Sequence, residues 1–222
     1  MSKQTDIIFD MDGVIFDTEN LFLDCWRQIA TTHGLAGIDT VYHRVLGMNG
    51  AATRAVYREA YGADFDYEGL SRAAMDIFNE QVATGGMPMK PGVVELLTYL
   101  RDGGYRLGLA SSTSSRRVIS QLESRDLLKF FRVVIGGEMV QNSKPAPDIF
   151  LLACERIGVN PAAAYAIEDS YNGVRAAHAA GMRVIMVPDM VMPDDEMRSL
   201  ATHIFPDLLA VRAYLVKLNI LY

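Results

Sequence analysis

The sequence predicts an α/β fold in which a doubly wound parallel sheet carries a small all-helical insertion after its first strand. From residue 91 onward, short apolar runs alternate with helical patterns, which is typical of parallel strands joined by helical crossovers. Between residues 18 and 86 the pattern is helical throughout. We therefore expect a core domain formed by residues 1–17 and 87–222 and a helical cap domain formed by residues 18–86.

Composition and charge restrict the classes of partner. The chain has 222 residues, of which 50% are hydrophobic and 22% charged, and a net charge of −6, as in an ordinary globular protein. Nucleic acids and anionic membranes are bound mainly through clustered Lys and Arg, so neither partner is expected. Because the sequence shows no membrane-spanning run and no secretory leader, we expect a cytoplasmic protein. We also expect either a monomer or a weak homodimer. Cys25 and Cys154 are predicted to be buried thiols.

The first predicted strand ends in two closely spaced carboxylates. An apolar run, Ile7 to Phe9, is typical of a strand buried on both faces, and Asp10 and Asp12 follow it directly. Carboxylates at a buried strand end lose their hydration, which is costly unless a cation or a donor compensates. Asp-x-Asp-Gly is also a favourable turn sequence. This stretch alone therefore fits a plain turn as well as an active site.

Four helices are predicted in the cap. Apolar residues at steps of three and four predict a first helix after Thr18 that ends at Gly34. Further helices are expected at about residues 40–46, 51–61 and 67–82. The Gly85-Gly86 pair and Pro88 that follow are typical of a hinge and equally of an ordinary linker.

The rest of the core alternates helix and strand. The predicted strands are residues 105–110, 132–135, 164–167 and 183–187, and the predicted helices are residues 92–101, 115–123, 148–157, 172–180 and 208–218. The carboxyl ends of parallel strands meet at one edge of a sheet. Side chains that follow these strands should therefore lie close together.

Polar residues follow three of these strands. Ser111 follows the second strand of the chain, Lys144 lies in the loop after the third, and Glu168 and Asp169 follow the fourth. Carboxylates from two loops suit Mg²⁺, which often takes one or two protein carboxylates together with substrate phosphate. Ser111 and the start of the following helix offer donors to an anion. Lys144 can neutralise phosphate and keep a neighbouring carboxylate ionised.

Each of these clusters also has an explanation without chemistry. Residues 111–114 and 168–170 could simply cap the next helix, and Lys144 could be a solvated loop residue. Their joint occurrence, each at a strand end and beside Asp10 and Asp12, favours instead a Mg²⁺-dependent site for a phosphorylated small molecule.

The four clusters together resemble a known family. The set is Asp10-Met11-Asp12-Gly13-Val14, Ser111, Lys144-Pro145 and Glu168-Asp169-Ser170 with Gly173. It resembles the haloacid dehalogenase superfamily, in particular its phosphatase and beta-phosphoglucomutase-like branch, which has a helical cap after the first strand. The resemblance covers essentially the whole chain. It implies a Rossmann-like core and a cap that closes over the site and excludes water.

The resemblance also implies roles for individual residues. Asp10 would be the nucleophile that forms an aspartyl-phosphate, and Asp12 would be the general acid and then the general base. Mg²⁺ would be held by Asp10, the backbone carbonyl of Asp12 and Asp169, with Glu168 nearby as an outer ligand. The phosphoryl oxygens would be bound by Ser111, the Ser112 amide and Lys144.

Two departures from the mutase branch favour hydrolysis. That branch has a cap histidine twelve residues after the nucleophile, where this chain has Phe22, and a cap-loop arginine that is absent from Gly47-Met48-Asn49-Gly50. We expect a phosphoric monoester hydrolase, a phosphatase acting on a sugar or polyol phosphate. A sugar-phosphate mutase and a non-catalytic binder of phosphorylated ligands are the alternatives. In the cap, Asn49 and Phe22 are candidates to face the substrate, although Phe22 is also a candidate for the cap core.

Overall fold

The computed structural model describes residues 6–48 and 50–220. The chain divides into two compact units. One, the core unit, comprises the chain up to Phe16 and from Met89 onward, and the other, the cap unit, comprises Asp17–Pro88. The cap unit includes residues 18–86 and extends beyond them by Asp17 at its start and by Met87 and Pro88 at its end.

The core unit is built on one parallel sheet. Its strands are β1 (Ile7–Phe9), β2 (Leu107–Ser111), β3 (Val133–Gly136), β4 (Tyr165–Glu168), β5 (Arg183–Met186) and β6 (His203–Ile204). Their spatial order is β3-β2-β1-β4-β5-β6, and all five pairings are parallel. This order reverses direction beside β1, as in doubly wound sheets. The predicted fold class is confirmed.

The cap unit contains four helices, and their apolar faces meet in an aromatic cluster. They are α1 (Thr18–His33), α2 (Ile38–Val45), α3 (Gly50–Tyr61) and α4 (Tyr67–Gly85). The Trp26 ring lies 4.8 Å from that of Tyr57, which in turn lies 4.9 Å from Tyr67. Gly34 takes a left-handed conformation after α1, which glycine adopts at little cost. The predicted stop of this helix is confirmed.

Six further α-helices lie in the described part of the core unit. They are α5 (Val93–Asp102), α6 (Ser115–Ser124), α7 (Asp148–Ile157), α8 (Tyr171–Ala179), α9 (Asp195–Leu200) and α10 (Leu208–Ile220). Helix α9 and strand β6 were not predicted. Both are too short for a periodic pattern, and β6 forms because Ile185 and Met186 of β5 offer an edge that pairs with His203 and Ile204.

Burial explains why β1 occupies the centre of the sheet. Its residues Ile7, Ile8 and Phe9 are fully buried, as expected for a strand with a parallel neighbour on each side. At Gly108 of β2, a Cβ would lie 2.8 Å from the Cδ1 atom of Ile8, so the end of that side chain would have to shift to admit a larger residue. Cys25 and Cys154 are buried and free, as predicted. Within the described residues, no helix is long and apolar enough to cross a membrane.

Candidate active site

The polar clusters meet at the carboxyl edge of the sheet. Phe9 pairs with Leu109 of β2 on one side and with Ile167 of β4 on the other. Asp10 therefore emerges between the ends of these two strands, beside Ser111 and Glu168. Parallel register thus brings together residues that are more than a hundred positions apart in the chain.

Lys144 links two of these carboxylates. Its ammonium donates to Oδ1 of Asp10, to Oε1 of Glu168 at 2.7 Å and to the carbonyl of Ala110 at 3.3 Å. The side chain is only 7% exposed. Burial lowers the pKa of Lys144, but the negative charges of Asp10 and Glu168 outweigh burial and hold the pKa above its ordinary value. The lysine is therefore charged and fixed in place.

Both carboxylate oxygens of Glu168 accept hydrogen bonds from the protein. Its Oε2 accepts hydrogen bonds from the amides of Asp169 and Ser170, at 2.9 and 3.0 Å, and from the Ser170 hydroxyl, while Oε1 accepts from Lys144. A Cβ at Gly173 would lie 1.7 Å from Oε1 of Glu168. Glu168 is therefore closely packed against Gly173, and it helps to fix the position of the Lys144 ammonium. Ser170 also caps α8 through the Gly173 amide, so the capping explanation holds beside the chemical one.

Three carboxylates face one another at this edge. Oxygen atoms of Asp10, Glu168 and Asp169 lie within 4.8 Å of each other. A Cβ at Gly13, where φ is +78°, would lie 2.2 Å from Oδ2 of Asp169, so the turn after β1 closely approaches that carboxylate. Burial and the neighbouring negative charges raise the pKa of Asp10 and of Asp169. Three carboxylates against one lysine leave an excess of negative charge that suits a hard divalent cation.

Asp12 is turned toward the loop after β2. Its Oδ2 accepts a hydrogen bond from Thr113 Oγ1 at 3.1 Å and a longer one from Ser111 Oγ at 3.5 Å. Ser111 is fully buried, and its hydroxyl accepts the Thr113 amide at 3.0 Å. Ser112 is exposed. Thr113 was not predicted as a site residue, and its only signal is its place two residues after Ser111.

Sequence reasoning also missed an ion pair close to the cluster. Lys90 donates to Oδ1 of Asp189 at 2.6 Å, and the Asp189 side chain is 5% exposed. The charge of Asp189 is one of those that raise the pKa of Asp169. The contact joins positions 99 residues apart, so no local sequence pattern indicates it.

The role of the two candidate substrate-facing residues of the cap stays a prediction. Phe22 is half-buried and packs within the cap unit, with its ring 5.8 Å from that of Phe78 and 6.4 Å from that of Tyr42. Asn49 lies outside the described residues.

Comparison with known proteins identifies the family. The sequence pattern that defines the haloacid dehalogenase-like hydrolases matches residues 7–187, a range that includes the three clustered carboxylates, Asp12, Ser111 and Lys144. The chain belongs to this family. The recognition made from four short motifs is therefore confirmed.

Among haloacid dehalogenase-like hydrolases, the chain is similar to named phosphatases. It is 34% identical over 179 residues to the phosphorylated carbohydrates phosphatase of Thermotoga maritima, covering 81% of this chain and 82% of that one. It is 31% identical to the fructose-1-phosphate phosphatase YqaB of Escherichia coli, covering 82% of this chain and 95% of that one. CbbY from Rhodobacter sphaeroides, solved with phosphate, is 28% identical with a TM-score of 0.68 over 91% of this chain and 94% of that one.

Proposed function

We propose that this chain is a Mg²⁺-dependent phosphatase that hydrolyses a small phosphorylated metabolite of the sugar or polyol phosphate class through an aspartyl-phosphate. The observation that carries the proposal is the position of Asp10. Its carboxylate is buried at the carboxyl end of β1, accepts a hydrogen bond from Lys144 and lies within 4.8 Å of the Asp169 carboxylate. Two of the relatives are named for phosphorylated carbohydrates and for fructose 1-phosphate, which supports the substrate class.

Asp10, Asp169 and the backbone carbonyl of Asp12 are the groups that would hold the metal. Both oxygens of Glu168 accept bonds from the protein, which supports an outer position for this carboxylate. When bound, Mg²⁺ offsets the repulsion between the nucleophile and the phosphate and stabilises charge on the transferring group.

The side chains divide the chemistry between them. Lys144 opposes the rise in the pKa of Asp10, and a bound divalent cation would favour the ionised carboxylate further. Ionised Asp10 attacks phosphorus while the bond to the leaving oxygen breaks. Asp12 gives its proton to that oxygen and afterwards takes one from the water that cleaves the aspartyl-phosphate. Inorganic phosphate leaves and Asp10 is restored. Ser111 and the Ser112 amide are the donors for the phosphoryl oxygens, and Lys144 supplies a positive charge beside them.

The assignment of Asp10 is tested by substitution. We expect Asp10→Asn to lower the rate of p-nitrophenyl phosphate hydrolysis in Mg²⁺ by more than about a thousandfold, because the amide is not a nucleophile. Asp102→Asn is a matched control, since Asp102 is an exposed aspartate paired with Arg101. Equal rates for wild type and Asp10→Asn would contradict the proposal.

Product analysis separates hydrolysis from the mutase alternative. With beta-glucose 1-phosphate and Mg²⁺, a phosphatase releases free phosphate and glucose. Conversion to glucose 6-phosphate without free phosphate would instead support the mutase. A panel of sugar and polyol phosphates scored by kcat/KM then narrows the substrate.

A further inference from the structure

Thr113 is anchored at three points in the loop between β2 and α6. Its hydroxyl donates to Oδ2 of Asp12 at 3.1 Å, and its amide donates to Ser111 Oγ at 3.0 Å. Its carbonyl accepts the amide of Gly137 at 3.1 Å. A Cβ at Gly137 would lie 2.3 Å from the Ser112 carbonyl oxygen, so the loop is closely packed from that side. The Thr113 hydroxyl is therefore held on a fixed backbone.

We propose that Thr113 is a positioning residue that orients the Asp12 carboxyl group for proton transfer. A protonated carboxyl group carries its proton on one oxygen, while the other remains an acceptor. Because Oδ2 accepts from Thr113, the proton of Asp12 belongs on Oδ1. This inference rests on the proposed function, in which Asp12 is the acid.

Ser111 does not fill this role. Its hydroxyl lies 3.5 Å from the same Asp12 oxygen, at the limit of a hydrogen bond, whereas Thr113 lies at 3.1 Å. Ser111 has a single proton to donate, and the proposed function directs that proton to a phosphoryl oxygen. Thr113 is also β-branched, which restricts its χ1 rotamers. The two hydroxyls therefore have separate tasks.

The proton that Thr113 places is consumed in the first half of the reaction. The bond from Asp10 to phosphorus forms as the bond from phosphorus to the leaving oxygen breaks. The leaving oxygen takes the proton from Oδ1 of Asp12, and the electron pair of the O–H bond stays on the carboxylate. This proton matters most when the leaving oxygen is basic. Phenolate, whose conjugate acid has a pKa of about 10, like tyrosine, depends on it more than p-nitrophenolate does.

The experiment compares two aryl phosphates that differ in the leaving group. We measure kcat/KM for phenyl phosphate and p-nitrophenyl phosphate in Mg²⁺, since this ratio reports steps up to release of the phenol. We expect Thr113→Val to lower kcat/KM for phenyl phosphate by about tenfold more than for p-nitrophenyl phosphate. Thr113→Ser keeps the hydroxyl and should restore the wild-type preference.

Ser114 provides the matched control. It is the exposed hydroxyl residue next in the chain, and its side chain makes no capping bond to the described residues of α6. Ser114→Ala should keep the wild-type preference. Thr113→Ala gives the same comparison should the valine variant not fold.

Two outcomes are decisive against the inference. An unchanged preference in Thr113→Val and Thr113→Ala, with equal losses or no losses on the two substrates, would mean that Thr113 does not orient Asp12. A failure of Thr113→Ser to restore the wild-type preference would assign Thr113 a purely structural role. If the wild-type protein hydrolyses neither substrate, the proposed function itself fails, which is a separate result.

Discussion

At the scale of single residues, Gly173 shows how little space surrounds the site. It lies in the first turn of α8, where a Cβ would lie 1.7 Å from Oε1 of Glu168. That oxygen accepts the bond from Lys144, which in turn is bonded to Asp10. Because Gly173 has no Cβ, Glu168 has room to bind Lys144, which in turn contacts the proposed nucleophile.

Helix propensity and packing predict opposite effects on stability when alanine replaces Gly173. Alanine favours a helix over glycine by about 1 kcal/mol, but overpacking costs about 1–3 kcal/mol. We expect Gly173→Ala to lower the free energy of unfolding and to lower kcat on p-nitrophenyl phosphate by about 10- to 100-fold, because Glu168 and Lys144 must shift. Urea unfolding and steady-state rates measure both effects.

Gly85 serves as the control for this prediction. It lies at the end of α4, and among the described residues nothing beyond its chain neighbours and the backbone of its own helix lies within 4 Å of the position where its Cβ would be. Gly85→Ala should leave both stability and kcat close to those of the wild type. A Gly173→Ala protein as stable and active as the wild type would show that Glu168 does not need this space.

At the scale of elements, the loop after β5 is tied to the segment that begins at Met89. Lys90 donates from its amide to the Ile15 carbonyl at 2.9 Å and from its ammonium to Asp189 at 2.6 Å. Oδ2 of Asp189 is buried without a hydrogen-bond partner among the described residues. The ammonium of Lys90 is therefore the main compensation for this buried charge.

We expect Lys90→Met to destabilise the protein by about 3–5 kcal/mol, because it leaves a buried carboxylate without its counter-charge. The double variant Lys90→Met/Asp189→Leu should recover most of the loss, since it removes the charge as well. Lys129→Met is the control, because the pair of Lys129 with Asp126 is exposed and such pairs contribute about 0–1 kcal/mol. Equal losses for Lys90→Met and Lys129→Met in urea unfolding would argue against a buried charge effect.

At the scale of the whole molecule, the carboxylate cluster makes stability depend on pH and metal. In the absence of metal, burial and neighbouring charges raise the pKa of Asp10 to about 8, above the value of about 3.9 in an unfolded chain. A raised pKa means that the folded state holds its proton more tightly. The resulting stability is complete below about pH 4 and is lost as the pH rises toward 8.

We therefore expect the thermal midpoint of the EDTA-treated protein to fall by several degrees between about pH 5 and about pH 8 relative to Asp10→Asn. Mg²⁺ should raise the wild-type midpoint more at the higher pH, since the ion replaces protons in the cluster. Differential scanning calorimetry with and without Mg²⁺ measures both changes. The same slope in wild type and Asp10→Asn would exclude Asp10 as the titrating group.

Much of the architecture could be predicted because it depends on local patterns. Apolar runs and three- to four-residue periodicity report burial and helical repeat within a few residues, so the strands β1 to β5 and helices such as α7 were predicted near their observed bounds. Strand β6 and helix α9 were missed. They are short elements whose formation depends on a neighbouring strand edge and on packing, which local periodicity does not record.

The sequence by itself determined the order of the four motifs, their place at strand ends and, through them, the family. Tertiary structure decided which atoms meet. Thr113 contacts Asp12 and Lys90 contacts Asp189 across 101 and 99 positions of the chain. Glu168 accepts a hydrogen bond from Lys144, and Phe22 packs against Phe78 within the cap. Such contacts depend on strand register and side-chain direction, which the whole packed chain sets and no short stretch contains.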